Sequence, residues 1–274
     1  MIHPTAIIHA GAKLGAGVSA GPYAIVEDGA EVGAECVLAA HAIIRRGAVL
    51  GRGVKVDSFA VVGGDPQDLR FDAKILSGVC IGDGTVLREG VTVHRSTKAG
   101  GFTEVGAGAL LMGYSHVGHD CKVGARVVMG NGALLAGHIE VGDDCFLSGH
   151  TVFHQFMRLG EGVMVSGSAR LGLDAPPFTL AAERNELHGL NVVGLRRRGF
   201  DAATIAELKA LYQEVYAGGS PRKSAAALEK AGAAKSEAGR KFLAFFAGGK
   251  RGFLRPVKEG ETGLTEESEG SGEG

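Results

Sequence analysis

Four successive hexads decide the fold: Val117-Gly118-His119-Asp120-Cys121-Lys122, Val123-Gly124-Ala125-Arg126-Val127-Val128, Met129-Gly130-Asn131-Gly132-Ala133-Leu134 and Leu135-Ala136-Gly137-His138-Ile139-Glu140. Each opens on an apolar anchor and carries a second apolar residue four positions on: Cys121, Val127, Ala133, Ile139. Working outward, the anchor runs from Ile2 through Ile8, Leu14, Ala20, Val26, Val32, Leu38, Ile44, Leu50 and Val56 to Val62. It returns at Ile75, Ile81, Leu87 and Val93, then continues every sixth residue from Val105 to Leu171. Of 27 such anchors, 24 are Ile, Leu or Val, so one register holds over most of the chain. Period six fits neither a 3.6-residue helix nor a lone amphipathic strand. It fits a prism in which each hexad is one short strand and one corner, and three hexads close an 18-residue coil. Nine coils at about 4.8 Å per strand step give a column roughly 40 Å long. The expectation is an all-β parallel β-helix of about nine coils, over residues 1–187.

Composition agrees. The chain has 274 residues, 46 of them Gly, and no Trp, which suits many tight corners lined by small and branched side chains. The glycines do not keep a three-residue period, which excludes collagen. No long apolar run and no basic-then-apolar start is present, so the reading is a cytoplasmic protein without a membrane span. Cys36, Cys80, Cys121 and Cys145 form no C-x-x-C pair and read as reduced thiols. Residues 259–274 carry six Glu and no Lys or Arg; with those set aside, the net charge of −1 becomes +5. That segment reads as a disordered acidic tail on a mildly basic body.

Two stretches leave the register, 63–74 and 99–104, and loops thrown from a regular column are places for function. After Leu171 the pattern stops near Pro176-Pro177. Asp201, Ser220 (before Pro221) and Ser236 read as helix N-caps, and Gly218-Gly219 and Gly248-Gly249 as stops. A small C-terminal α-helical domain is therefore expected over 188–258.

Five of the ten histidines lie between 116 and 154. Val117, Leu135 and Phe153 are 18 apart, so their hexads stack, and His119, His138 and His154 fall on one face of successive coils, with His116 just before. An imidazole near neutral pKa is suited to act as a general base on a hydroxyl. Asp120 would orient His119 only where a corner bends the chain between them, since adjacent strand residues face opposite ways. A His-rich face also suits a metal. His3, His9, His41 and His150 lack such company and read as surface or structural residues. A solvated basic patch is the plain reading of Arg196-Arg197-Arg198, and a phosphate-binding fork the functional one.

Several ordered motifs carry a family resemblance: Gln67-Asp68-Leu69-Arg70-Phe71, Arg88-Glu89-Gly90-Val91-Thr92-Val93-His94-Arg95, Ser115-His116-Val117-Gly118-His119-Asp120-Cys121, Leu135-Ala136-Gly137-His138, Val152-Phe153-His154-Gln155-Phe156 and Asn191 through Phe200. With them, residues 1–255 resemble the UDP-N-acetylglucosamine O-acyltransferases that begin lipid A biosynthesis. The resemblance implies a left-handed column and a homotrimer with sites between neighbouring copies. It implies transfer of an (R)-3-hydroxyacyl group from acyl carrier protein to the sugar 3-position. His119 would be general base beside Asp120, and the Gly137 N–H the oxyanion donor. His116, His138, His154 and Gln155 would line the site, with Gln67, Asp68 and Arg70 at the sugar and Asn191, Arg197 and Arg198 at the nucleotide. Gly167 would leave the acyl groove open for a long chain. No metal, cofactor or nucleic acid is called for. Arg70 stands where the family usually has Lys, and Val193 where it commonly has an acidic residue. Alternatives are acylation of a 3-amino sugar, a γ-class carbonic anhydrase-like zinc hydratase and a non-catalytic scaffold. Lys250, Arg251 and Arg255 would form a basic patch for an acidic carrier.

Overall fold

The computed structural model describes residues 1–257; the acidic tail and Lys258 lie outside the described residues. Two- to four-residue strands pair in parallel, each with the strand one coil on, and build three sheets of nine, eight and eleven strands. The first begins at Ile7–Ile8, the second at Lys13–Leu14 and the third at Ser19–Ala20. Together they close a left-handed parallel β-helix, with the anchors stacked inward. Val117 pairs with Leu135 and Leu135 with Phe153, all buried, while His116, Leu134 and Val152 alternate outward on the same strands. Cys36, Cys121 and Cys145 are buried free thiols; Cys80 is half-buried. Burial pushes the Cys121 and Cys145 thiols up to about 12.

Both loops are longer or earlier than expected. The strand Val61–Gly64 carries on past residue 63 and the next begins at Gly78, so the first loop is 65–77. Ile75 therefore lies in the loop, half-exposed, and is no core anchor. The second loop is 95–101, because Phe102–Val105 is already a strand. Both loops leave the corner between the first and second sheets.

The third sheet is extended by an antiparallel hairpin, Thr179–Ala182 with Glu186–Leu190, which crosses the expected 187/188 boundary. Helix α1 (Val192–Arg197) is an element the sequence reading lacks. Helices α2 (Ala202–Ala217), α3 (Pro221–Lys230) and α4 (Glu237–Ala244) start at Asp201, Ser220 and Ser236, whose side chains accept the N–H of Thr204, Lys223 and Gly239. They bury Ile205, Leu208, Leu211, Phe242 and Leu243 in a second core, joined by Phe246 from the turn after α4. The chain then returns to the column, where Arg255–Pro256 pairs with the hairpin. A buried ion pair ties the two parts: Arg158 Nε to Asp174 Oδ2 at 2.9 Å, with Arg158 also donating to the Phe245 carbonyl. Among the described residues no helix is long and apolar enough to cross a membrane.

Candidate active site

The corner that throws out both loops also carries the histidines. In the next coils up it is built by Asp120, His138 and Phe156, three residues 18 apart that all hold left-handed backbone, with φ of 61°, 62° and 67°. A non-glycine residue there costs of order 1–3 kcal/mol and persists only where its surroundings fix it. The bend at Asp120 turns its carboxylate back onto its neighbour: His119 Nδ1 lies 2.9 Å from Asp120 Oδ2. His138 stands edge-on to His119, with ring centroids 5.0 Å apart, and stacks on Phe156 at 4.6 Å.

The second loop completes the carboxylate's shell. Ser96 Oγ donates to Asp120 Oδ1 at 2.5 Å, and Thr97 Oγ1 to Oδ2 at 2.6 Å. Burial opposes ionisation of Asp120, but these hydroxyls, His119 and the Thr97 N–H together hold its carboxyl well below the usual carboxylate range. An ionised carboxylate only accepts, so His119 carries its proton on Nδ1 and leaves the Nε2 lone pair free. The ring packs over Gly137: a Cβ built there would sit 2.6 Å from Nε2. The basic nitrogen therefore lies beside the Gly137 backbone.

Arg95 organises the first loop. Its guanidinium bonds Asp65 at 2.7 Å, the Ala73 carbonyl at 3.0 Å and the Ile75 carbonyl, and it faces the Phe71 ring at 4.8 Å. The loop so held brings Gln67, Asp68 and Arg70 to an open cavity of about 480 Å³ shared with His119, His138 and Gln155. The Arg70 N–H, then its side chain, draws the Asp68 carboxyl below its usual range.

Other expected residues lie elsewhere. His116 is half-buried behind the cluster, with Nδ1 2.7 Å from Thr92 Oγ1 and its ring edge-on to His94 at 4.6 Å. Burial, then the neighbouring His94 and His119, push it down to about 4. His154 leaves the stack because it lies two residues before the corner at Phe156, where His119 lies one before Asp120; it lines a second cavity with Arg170, Arg184 and Arg251. Gly167 is exposed, and a Cβ there would meet only the Gly149 carbonyl, at 3.7 Å. Asn191 caps α1 through Gly194 N and donates to the Gly162 carbonyl. Arg198 pairs with Asp144 at 3.0 Å and with Glu161, whereas Arg197 is exposed. Asp144 and Glu161 belong to the corner between the second and third sheets, so one column holds Arg198 and His119 at different edges. Lys250, Arg251 and Arg255 each have their own partner. Lys250 lies over the Phe156 ring, Arg251 donates to Gly172 and Arg255 to Gly219.

Reading from sequence missed His94, Ser96, Thr97 and Arg95 as parts of this corner. Ser96 and Thr97 follow directly on the conspicuous run ending in His94-Arg95, which was the available signal. One ligand atom each from His119, Asp120 and His138 lies within 4.8 Å of the others, a spacing open to a metal. Yet Asp120 already accepts from Ser96, Thr97 and His119, which is the bonding of a carboxylate that orients an imidazole.

A parallel β-helix of hexads, with an Asp-held imidazole packed on a glycine backbone at one corner, is the architecture of a hexapeptide-repeat transferase. Residues 102–137 match the model of the bacterial transferase hexapeptide (six repeats), and 174–254 that of UDP-N-acetylglucosamine O-acyltransferase, domain 2. An acyl-[acyl-carrier-protein]–UDP-N-acetylglucosamine O-acyltransferase of Campylobacter jejuni serotype O:6 is 48% identical over 95% of this chain and 98% of its own. That of Paraburkholderia phymatum is 43% identical over 93% and 99%. The solved UDP-N-acetylglucosamine acyltransferase from C. jejuni superposes with a TM-score of 0.88 at 36% identity, covering 94% of this chain and all of that one. The Francisella novicida enzyme gives 0.90 at 31%, covering 94% and 95%. The chain belongs to the acyl-[acyl-carrier-protein]–UDP-N-acetylglucosamine O-acyltransferase family and is an acyltransferase; the zinc hydratase reading is not favoured.

Proposed function

We propose that this enzyme moves an (R)-3-hydroxyacyl group from acyl carrier protein to the 3-hydroxyl of UDP-N-acetylglucosamine, the opening step of lipid A biosynthesis, in the cytoplasm. The observation that carries the reading is the His119 ring, oriented by Asp120 and packed against Gly137. His119 Nε2 takes the hydroxyl proton as the oxygen attacks the thioester carbonyl. The Gly137 N–H donates to the oxyanion as it forms. The intermediate collapses with loss of the carrier thiolate, which takes the proton from His119, while ionised Asp120 stabilises the passing imidazolium. Gln67, Asp68 and Arg70 hold the sugar, and His138 and Gln155 line the reacting groups. His116 and His154 flank them, one behind the base and one above it.

The active form is a homotrimer in this reading. One column holds Arg197 and Arg198 at a different edge from His119, and a second copy would bring its nucleotide-binding segment to the first copy's base. The loop tip at Leu69 is fully exposed, as a segment reaching toward a neighbour would be. Arg197 supplies the free fork to the diphosphate; Asn191 and Arg198 shape α1 around it. The open surface at Gly167 favours a long acyl chain of 3-hydroxymyristoyl type, and Gly167→Met should shift preference to ten carbons.

The test is turnover with UDP-N-acetylglucosamine, its 3-amino analogue and a panel of 3-hydroxyacyl carrier proteins. An ester product from the 3-hydroxyl acceptor is expected. Turnover confined to the amino sugar would replace the acceptor, and none with any carrier would sink the reaction.

A further inference from the structure

Above the His119 corner, a cavity of about 780 Å³ is lined by three arginines, His154 and Gln155 and, among the described residues, by no carboxylate. Several arginines elsewhere on the column are matched: Arg45 with Glu27, Arg52 with Glu35, Arg126 with Asp144. Arg170, Arg184 and Arg251 have no acidic partner within ion-pair distance among the described residues. Arg251 spends its Nε–H on the Gly172 carbonyl, 3.0 Å away. Arg170 and Arg184 face each other across a parallel bridge, the Arg170 N–H bonding the Glu183 carbonyl at 2.7 Å. Like charges directly opposite in a ladder are destabilising, so stability does not account for this pair. The corner carrying Arg184 is nevertheless built firmly: left-handed Asn185 accepts the Gly172 N–H on its side-chain oxygen at 2.6 Å. Crowded guanidinium groups with no acidic partner among the described residues, set around a concave surface, make a phosphate site, because their forks match phosphate oxygens.

We propose that Arg170, Arg184 and Arg251 bind a phosphate ester, namely the phosphodiester of the pantetheine arm that bears the acyl thioester. This rests on the reaction proposed above. Both reactants carry phosphate, and spacing separates them. Gln155 lines this cavity and the one at His119, so the two adjoin. Along the first sheet Arg170 stands two strand steps above Leu134, the level of Gly137, and Arg184 one further. That is about 10–14 Å. In the acceptor a single sugar ring separates the 3-hydroxyl from the diphosphate. In the donor the cysteamine, β-alanine and pantoate units separate the thioester from the phosphodiester, and that arm spans the gap.

Free 4′-phosphopantetheine and pantetheine differ only in the phosphate, so the full-length enzyme is titrated with each, by calorimetry and as inhibitors against acyl carrier protein. The wild type should bind the phosphorylated form about tenfold tighter or more. Arg170→Gln with Arg184→Gln should bring the ratio near one and raise the KM for acyl carrier protein about tenfold, with the KM for the UDP-sugar held and the melting temperature held or raised. A ratio unchanged in the variant overturns the subsite, and so does a KM rise confined to the UDP-sugar, which would assign the arginines to the diphosphate. Calorimetry does not depend on turnover, so a failed reaction and a failed subsite are told apart.

Discussion

The column carries two ladders of stacked rings, and only one includes a carboxylate. Tyr23, His41 and Phe59 stand 18 apart at the corner between the third and first sheets, with centroids 5.2 and 5.0 Å apart and rings nearly parallel. Asp120, His138 and Phe156 repeat the device at the next corner, with His138 and Phe156 at 4.6 Å. Both ladders place three residues at positive φ, and both set a histidine against phenylalanine. The first is exposed: Tyr23 and Phe59 keep 55% and 64% of their surface, and a tyrosine stands where the second has a carboxylate. In the second, the carboxylate is roofed by loop hydroxyls and has a second imidazole beside it. A stacked histidine is thus a structural habit of this fold. Chemistry enters where a carboxylate fixes which nitrogen holds the proton.

The widest gap between the ladders should appear in turnover. His119→Ala removes the base and should lower kcat by about 10²–10⁴-fold with the fold intact; steady-state rates beside circular dichroism check it. Wild-type turnover in that variant would break the distinction. Gly137→Ala should cost roughly 10²-fold, because its Cβ would meet His119 Cε1 at 2.5 Å and push the ring off the carbon it serves. A smaller loss, about tenfold, is expected of Thr97→Val with Ser96→Ala. Both hydroxyls donate to the ionised form, so removing them raises the Asp120 pKa, which a carbon-13 titration of its carboxyl reads. An unmoved titration would show that these hydroxyls merely fill space.

The two ladders also differ in how legible they were. Period six, the inward anchors and the helix caps could be read directly, because each is a local pattern repeated many times. The stacking of His119 and His138 followed from 18-residue arithmetic. The His119–Asp120 bond did not, since it depends on left-handed backbone at Asp120, and aspartate is one of many residues tolerated there. Ser96, Thr97 and Arg95 were illegible for another reason: the partners named above are 20 to 30 residues away across a loop of unpredictable path. Ile75 misled because an aliphatic residue fell on the register by chance inside that loop. His154, one coil up, kept the arithmetic but lost the corner.

Acid should expose the difference in burial. His116 is held near 4, against 6.5 in the unfolded chain, so the unfolded state binds more protons in that window. Its contribution is fully present above pH 6.5 and is lost as pH falls toward 4, on the order of 3 kcal/mol. Burial lowers His94 and His138 as well, with the same sign. Denaturant melts at pH 7.5 and 4.5 should show this loss, reduced in His116→Asn. Equal losses in both proteins would place the acid sensitivity elsewhere.

The smallest effect is the sharpest control. His41→Ala breaks two stacked contacts in the exposed ladder and touches none of the catalytic groups. Aromatic pairs contribute about 0.5–1.5 kcal/mol, less where water reaches them, so a loss of about 1 kcal/mol is expected. Alanine keeps the left-handed strain at φ 61°, where an L-residue is disfavoured by about 1 kcal/mol. His41→Gly removes the same rings but relieves that strain, and the two effects nearly cancel. The glycine variant should therefore melt close to wild type and the alanine variant about 2 °C lower. Both should keep full turnover, because stacking alone gives an imidazole no preferred tautomer and no substrate. A tenfold drop in kcat for either variant would mean that the first ladder reaches the second, and the carboxylate would no longer suffice to tell them apart.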